Sequence, residues 1–197
     1  MSEIVLASKS PTRSALLAGA GIAFDTVSPG VDEDPVKAGL LAEGASARDI
    51  ADALAELKAL RVSGARPGFI IGADQTLEFE GGLYDKVATV DAARERLRLL
   101  RGQTHKLHAA VVVATDGAAI WRDLITVSLT MRNFSDAFLE DYLATEGPSA
   151  LGSVGCYRLE GPGAQLFSRI DGDYFAILGL PMLGLLDLLR RHGALAT

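Results

Sequence analysis

The chain has 197 residues, of which 49% are hydrophobic and 22% charged, the make-up of one globular domain (1–197) with enough apolar material for a sizeable core. Its formal net charge of −6 argues against a nucleic-acid surface built from broad basic patches but is compatible with a local cationic pocket. A single cysteine, Cys156, excludes an intramolecular disulfide and reads as a small buried hydrophobe in a reducing compartment.

The first apolar run, residues 3–7, predicts a strand that feeds the hydroxyl-rich segment Ser8-Lys9-Ser10. Ser10 as N-cap and Pro11 at the first helical position predict a helix over 11–19, closed by Gly19 and Gly21. A helix start ringed by Ser8, Lys9, Ser10 and Arg13 suits a phosphate group, although Ser-Pro before a helix is also ordinary capping. No Walker loop and no dinucleotide-binding glycine fingerprint is present in this segment.

Residues 23–27 predict a second short strand, and 28–35 a loop carrying Asp32, Glu33 and Asp34. Ser46 and Asp49 form a capping signal for a helix to about Ser63. The apolar run 69–73 predicts a strand buried on both faces, ending at Asp74. A helix is expected over 91–100, then strands 105–114 and 119–131 joined by the hairpin pair Asp116-Gly117. Ser135 caps a helix to about Thr145, segments 156–158 and 165–170 read as short strands, and 182–191 is an amphipathic closing helix. Alternating strands and helices with an antiparallel hairpin predict an α/β fold on a mixed sheet. The C-terminal apolar stretch is interrupted by Gly179, Pro181, Gly184 and Asp187 and cannot span a membrane. The N-terminus lacks a basic segment followed by an apolar signal core, so a cytoplasmic location is expected.

Asp74 is the sharpest chemical candidate. At a strand end in an α/β fold, a carboxylate can ligate metal or activate water, or simply close a turn. Gly72 and Ala73 would keep the approach to it open. Lys58 follows Ala51 and Leu54 along one helical stripe, a spacing that favours snorkelling to solvent over contact with an anionic ligand. Glu33 reads as solvated when taken alone, but with Asp74 it could hold Mg²⁺. Lys86 alone reads as a surface residue, and His105 has no partner at zinc spacing. Cations for a polyphosphate, with carboxylates for metal and water, point to a metal-dependent phosphoanhydride hydrolase or a nucleotide binder.

Six collinear motifs resemble the Maf family, the septum-formation-inhibitor-like nucleotide pyrophosphatases. They are Leu6-Ala7-Ser8-Lys9-Ser10-Pro11-Thr12-Arg13, Val31-Asp32-Glu33, Ala55-Glu56-Leu57-Lys58-Ala59, Ile71-Gly72-Ala73-Asp74-Gln75, Gly102-Gln103-Thr104-His105 and Gly179-Leu180-Pro181. The resemblance implies an inosine-triphosphatase-like (Maf/Ham1) fold, a mixed twisted sheet with flanking helices and two lobes around a cleft. It implies hydrolysis of a nucleoside triphosphate to monophosphate and diphosphate, a divalent metal cation (Mg²⁺ or Mn²⁺), and often a homodimer. By position, Asp74 would be general base or metal-linked carboxylate and Glu33 a metal ligand. Ser8, Ser10, Arg13, Lys58 and Lys86 would hold the triphosphate, and Gln75 and Glu160 would sit near the base.

Asp74-Gln75 and Glu160-Gly161 resemble the 7-methyl-GTP branch, whereas the dTTP/UTP branch tends to carry Asp-Thr and Gln-Gly. A carboxylate at 160 would accept hydrogen bonds from a guanine edge and favour a cationic methylated base. Val87 stands where the family has proline, and Thr12 where a second arginine is common. The alternatives are a dTTP/UTP enzyme of the same family and a non-catalytic nucleotide-sensing regulator of cell division.

Overall fold

In the computed structural model, which describes residues 3–196, the first apolar run is strand β1 (Ile4–Ala7), buried along its whole length. Helix α1 (Pro11–Gly19) follows, with Ser10 as N-cap. Strand β2 is only Asp25–Thr26. The expected acidic loop instead starts helix α2 (Glu33–Ala42), with Asp32 at its N-cap and Glu33 and Asp34 in its first turn. Acidic groups suit a helix N-terminus, and Pro35 is tolerated there because the first N–H groups of a helix have no intrahelical partner.

Helix α3 (Ala47–Ser63) carries the Ser46–Asp49 capping box. Strand β3 (Phe69–Phe79) passes through Asp74 instead of ending there, and turns through Glu80-Gly81 into β4 (Gly82–Tyr84). Then come α4 (Val90–Leu100), β5 (Thr104–Thr115), β6 (Ala118–Met131) and α5 (Asp136–Glu146). The β5–β6 turn places Asp116 and Gly117 at φ +50° and +79°, the mirror-image turn suited to a hairpin. Two 3-10 turns, Gly147–Gly152 and Pro162–Leu166, precede β7 (Phe167–Asp171), α6 (Tyr174–Ile177) and α7 (Met182–Arg191). Residues 156–158 are not a strand. Cys156 takes φ +60°, which breaks an extended run, and it is buried as expected.

Among the described residues seven strands form one mixed sheet in the order β2-β1-β3-β5-β6-β7, with β4 on β3. β1 lies parallel to β2 and β3, with Ala7 opposite Gly72, while β7 runs antiparallel to β6. No described helix is long and apolar enough to cross a membrane.

The chain divides into two compact units. The first takes residues up to 75, 108–125 and from 173 onward; the second takes 76–107 and 126–172. In the first unit the faces of β3 alternate. Phe69, Ile71 and Ala73 join Ile4, Leu6 and Leu17 in a core that includes Leu185, Leu188 and Leu189 of α7. Ile70 packs with Val5, Ala7 and Val62 of α3 on the opposite face. Ala51, Ala55 and Ala59 of α3 pack on Ala110, Val112 and Ala114 of β5. In the second unit, α4 contacts α5 and the first 3-10 turn, and both helices bury apolar faces.

Candidate active site

The site in the first unit depends on how closely α3 approaches β3. A Cβ on Gly72 would lie 2.2 Å from the Ala55 carbonyl oxygen and 2.5 Å from the Ala59 nitrogen. Gly72 is therefore closed off by a helix backbone, not left open for a ligand. Two residues further along the strand, on the same face, stands Asp74. The alanines of α3 bring Lys58 down beside it, and Lys58 does not snorkel: the residue is 6% exposed. Its Nζ donates to Asp74 Oδ1 at 2.6 Å and pairs with Glu33 Oε1 of α2 at 2.7 Å.

The environments of the two carboxylates differ. Burial pushes the Asp74 carboxyl above the usual carboxylate range, against the opposing pull of Lys58 and Arg13. Burial would also raise Glu33, but the hydrogen bond and charge of Lys58, with Lys37 and Arg13 behind, bring its carboxyl below the usual value. Asp74 is thus the better proton acceptor and Glu33 the firmer anion, a division that suits acid–base chemistry.

Arg13 on α1 is the second buried cation. Burial lowers its guanidinium from the ordinary value while Asp74 and Glu33 pull it up, and a guanidinium remains protonated throughout. Its Nε donates to the Gly179 carbonyl at 2.8 Å and its Nη1 to Ser8 Oγ at 3.3 Å. Ser8 Oγ also accepts from the Ser10 backbone N–H at 3.2 Å. Ser10 Oγ accepts the Arg13 N–H at 3.4 Å, and Pro11 has no N–H. The backbone N–H groups of Ser10 and Arg13 are therefore taken up locally at this helix start.

Gln75 faces the other side of β3. Its Nε2 donates to the carbonyls of Ala176 and Ile177, at 2.8 and 3.0 Å, so both amide hydrogens are used on α6. Asp173 caps the same short helix through Ala176 N–H at 2.7 Å. Gly179, at φ +92°, completes the turn, and a Cβ there would come within 3.4 Å of Arg13 Nε. The Gly179-Leu180-Pro181 motif is visible in the sequence, but this role is not. The signal is a glycine two residues ahead of a proline at the start of the interrupted C-terminal apolar stretch.

Ser8, Ser10, Arg13, Glu33, Lys58, Asp74 and Gln75 thus all belong to the first unit, while Lys86 and Glu160 belong to the second. Lys86 is exposed, and its neighbour Asp85 is anchored by Arg96 Nη1, which donates to both the Asp85 and the Val154 carbonyls. Those bonds steady the segment that lacks the family proline. Glu160 accepts from Arg158 Nε at 3.3 Å. Its turn is held by Tyr142 Oη on the Cys156 carbonyl and by a 2.7 Å bond between Tyr157 Oη and His105 Nε2.

Among the described residues no group of three or more His, Cys, Asp or Glu forms a metal cage. Glu33 and Asp74 still fit a hard divalent cation. Both offer carboxylate oxygens to one point, and Mg²⁺-like ions take one or two carboxylates and complete their shell with phosphate and water.

A family model described as Maf-like protein matches residues 3–192. A Caulobacter vibrioides protein named nucleoside triphosphate pyrophosphatase is 60% identical over 197 residues, 100% of this chain and 99% of the relative. A Hyphomonas neptunium protein of the same name is 50% identical over 194 residues, 98% of each chain. A Brucella abortus biovar 1 protein named 7-methyl-GTP pyrophosphatase is 50% identical over 191 residues, 96% of each chain.

Proposed function

The chain belongs to the Maf family, and from that premise we propose that it is a nucleoside triphosphate pyrophosphatase acting on a modified guanine nucleotide of the 7-methyl-GTP kind. The observation that carries this reading is the Glu33–Lys58–Asp74 cluster, two carboxylates on one buried ammonium with Arg13 behind them.

Asp74 takes a proton from water, whose oxygen forms the new bond to the α-phosphorus. The bond from that phosphorus to the α,β-bridging oxygen breaks, and pyrophosphate leaves. The burial that raises the Asp74 carboxyl makes it the stronger base. Ser8, Ser10, Arg13 and Lys58 hold the triphosphate, with Arg13 oriented by Gly179. Glu33 and Asp74 would hold Mg²⁺ or Mn²⁺, which when bound neutralises phosphate charge and stabilises the leaving group.

For the base, Gln75 and Glu160 support the 7-methyl-GTP reading, as do relatives of that name. Gln75 keeps its amide hydrogens on the carbonyls of Ala176 and Ile177, and a carboxylate such as Glu160 suits a cationic base. We read the protein as cytoplasmic and homodimeric, acting on free nucleotides and not on nucleic acid.

The test is pyrophosphate release from 7-methyl-GTP, GTP, UTP, dTTP, CTP and ATP, with and without Mg²⁺ or Mn²⁺, and with Asp74→Asn as control. Preference for 7-methyl-GTP is the expected result. Preference for UTP or dTTP would keep the enzyme and reject the base assignment. Nucleotide binding without turnover would replace the enzyme with a sensor.

A further inference from the structure

Lys58 lies within hydrogen-bond distance of both Glu33 and Asp74, and it occupies the point on which a divalent ion would need both carboxylates. We infer that Lys58 is a placeholder cation: it excludes a bare divalent metal from the site and gives way only when the metal arrives together with a triphosphate. The inference rests on the metal assignment made under Proposed function and adds the order in which metal and nucleotide bind.

The charges around the cluster argue for that order. Glu33 and Asp74 face three cations, Lys58, Arg13 and Lys37, the last 3.9 Å from Glu33. Lys58 and Arg13 alone already match the two anions, so the cluster holds no excess negative charge to draw in a bare dication. A dication approaching alone must displace an ammonium held at 2.6 and 2.7 Å and then sit beside it, in a site where screening is weak. A metal on a triphosphate brings excess negative charge instead. Its phosphate oxygens offer Lys58 a new partner, so the ammonium can leave the carboxylates without becoming a buried unpaired charge. Lys58 thereby first holds Glu33 and Asp74 in place, then binds the substrate. This makes it a positioning residue for the metal as well as a phosphate ligand.

The experiment is Mn²⁺ binding to the intact protein, read by electron paramagnetic resonance of free Mn²⁺, with and without a non-hydrolysable α,β-methylene guanosine triphosphate, each against a protein-free sample because the triphosphate itself binds Mn²⁺. The wild type should take up Mn²⁺ weakly alone and strongly with the analogue. Lys58→Met should bind Mn²⁺ alone on the order of tenfold more tightly than the wild type, since two buried carboxylates then lack their cation. Lys58→Arg, which keeps the charge, should stay as weak as the wild type. A Lys58→Met protein that is folded by circular dichroism yet binds Mn²⁺ no better would overturn the inference. If that variant does not fold, the wild type decides: tight Mn²⁺ binding unaffected by nucleotide overturns it equally. A wild type that binds the analogue but no Mn²⁺ under either condition would remove the metal assignment itself, a result distinct from the other two.

Discussion

Gly72 of β3 and Ala59 of α3 sit so close that a methyl group on the glycine would lie 2.8 Å from the Ala59 Cβ. The gap between Lys58 and Asp74 is set by this contact, because each is a near neighbour of one of the two residues. Gly72→Ala is expected to push the helix off the strand at a cost of about 2–3 kcal/mol, typical of overpacking. Urea denaturation measures that cost. Pyrophosphate release should fall further than the lost stability explains, since the 2.6 Å pair is separated as well.

Asp74→Asn and Lys58→Ala should divide the kinetics between them. The first removes the proton acceptor and should lower kcat by roughly 10²- to 10⁴-fold with little change in KM. The second should act mainly on KM. Steady-state kinetics on the preferred nucleotide tests the split, and two mutants that alter KM alone would remove Asp74 from the base role.

Arg13→Lys keeps the charge and loses the fork. A lysine cannot reproduce the Nε bond to Gly179 together with the Nη1 bond to Ser8. KM for the triphosphate should rise about tenfold while kcat changes little. An unchanged KM would show that charge alone suffices at this position.

Gln75→Glu tests what that side chain does. A carboxylate would meet the carbonyl oxygens of Ala176 and Ile177 where the amide now donates to both. Destabilisation of about 1–3 kcal/mol is expected, with a raised KM for every nucleotide because Gly179 shifts under Arg13. A change confined to one base would mean that Gln75 reads the base directly.

His105 gives the protein a pH dependence. Burial lowers its imidazole from 6.5 to about 4, so the folded state resists the proton that the unfolded state accepts. Its contribution is complete above pH 6.5 and is lost as pH falls towards 4, since the unfolded chain binds the proton first. The loss amounts to roughly 3 kcal/mol. His105→Gln, which can keep the bond to Tyr157, should flatten the stability curve over that range relative to the wild type. Parallel curves would place the pH dependence elsewhere.

The elements legible in the sequence were those with explicit end signals. Ser10-Pro11 placed α1, the Ser46–Asp49 box placed α3, and Asp116-Gly117 placed the β5–β6 turn. Helix α2 was hidden because it buries no residue completely and leaves Leu41 exposed, so its sequence has no clear apolar stripe. The continuation of β3 was hidden for another reason. Asp74 and Gln75 look like a strand end, but their polar groups are satisfied by partners far along the chain, Lys58 and the carbonyls of residues 176 and 177. Lys58 reads as a snorkelling residue for the same reason: its stripe shows a helix edge, and only pairing with Glu33 and Asp74 makes its burial tolerable. Gly179 was visible as a motif, but its carbonyl became an Arg13 acceptor only in three dimensions.

The core of the first unit joins Ile4 and Leu6, near one end of the chain, to Leu185, Leu188 and Leu189, near the other. On the ribosome, β1 therefore emerges long before α7 exists to cover it. At ordinary elongation rates that interval is roughly ten to forty seconds, far longer than a small domain needs to collapse. The nascent chain must carry an uncovered apolar sheet face for that time, a binding surface for chaperones. A message truncated before Met182 would yield a product with that face permanently open, one that quality control should remove.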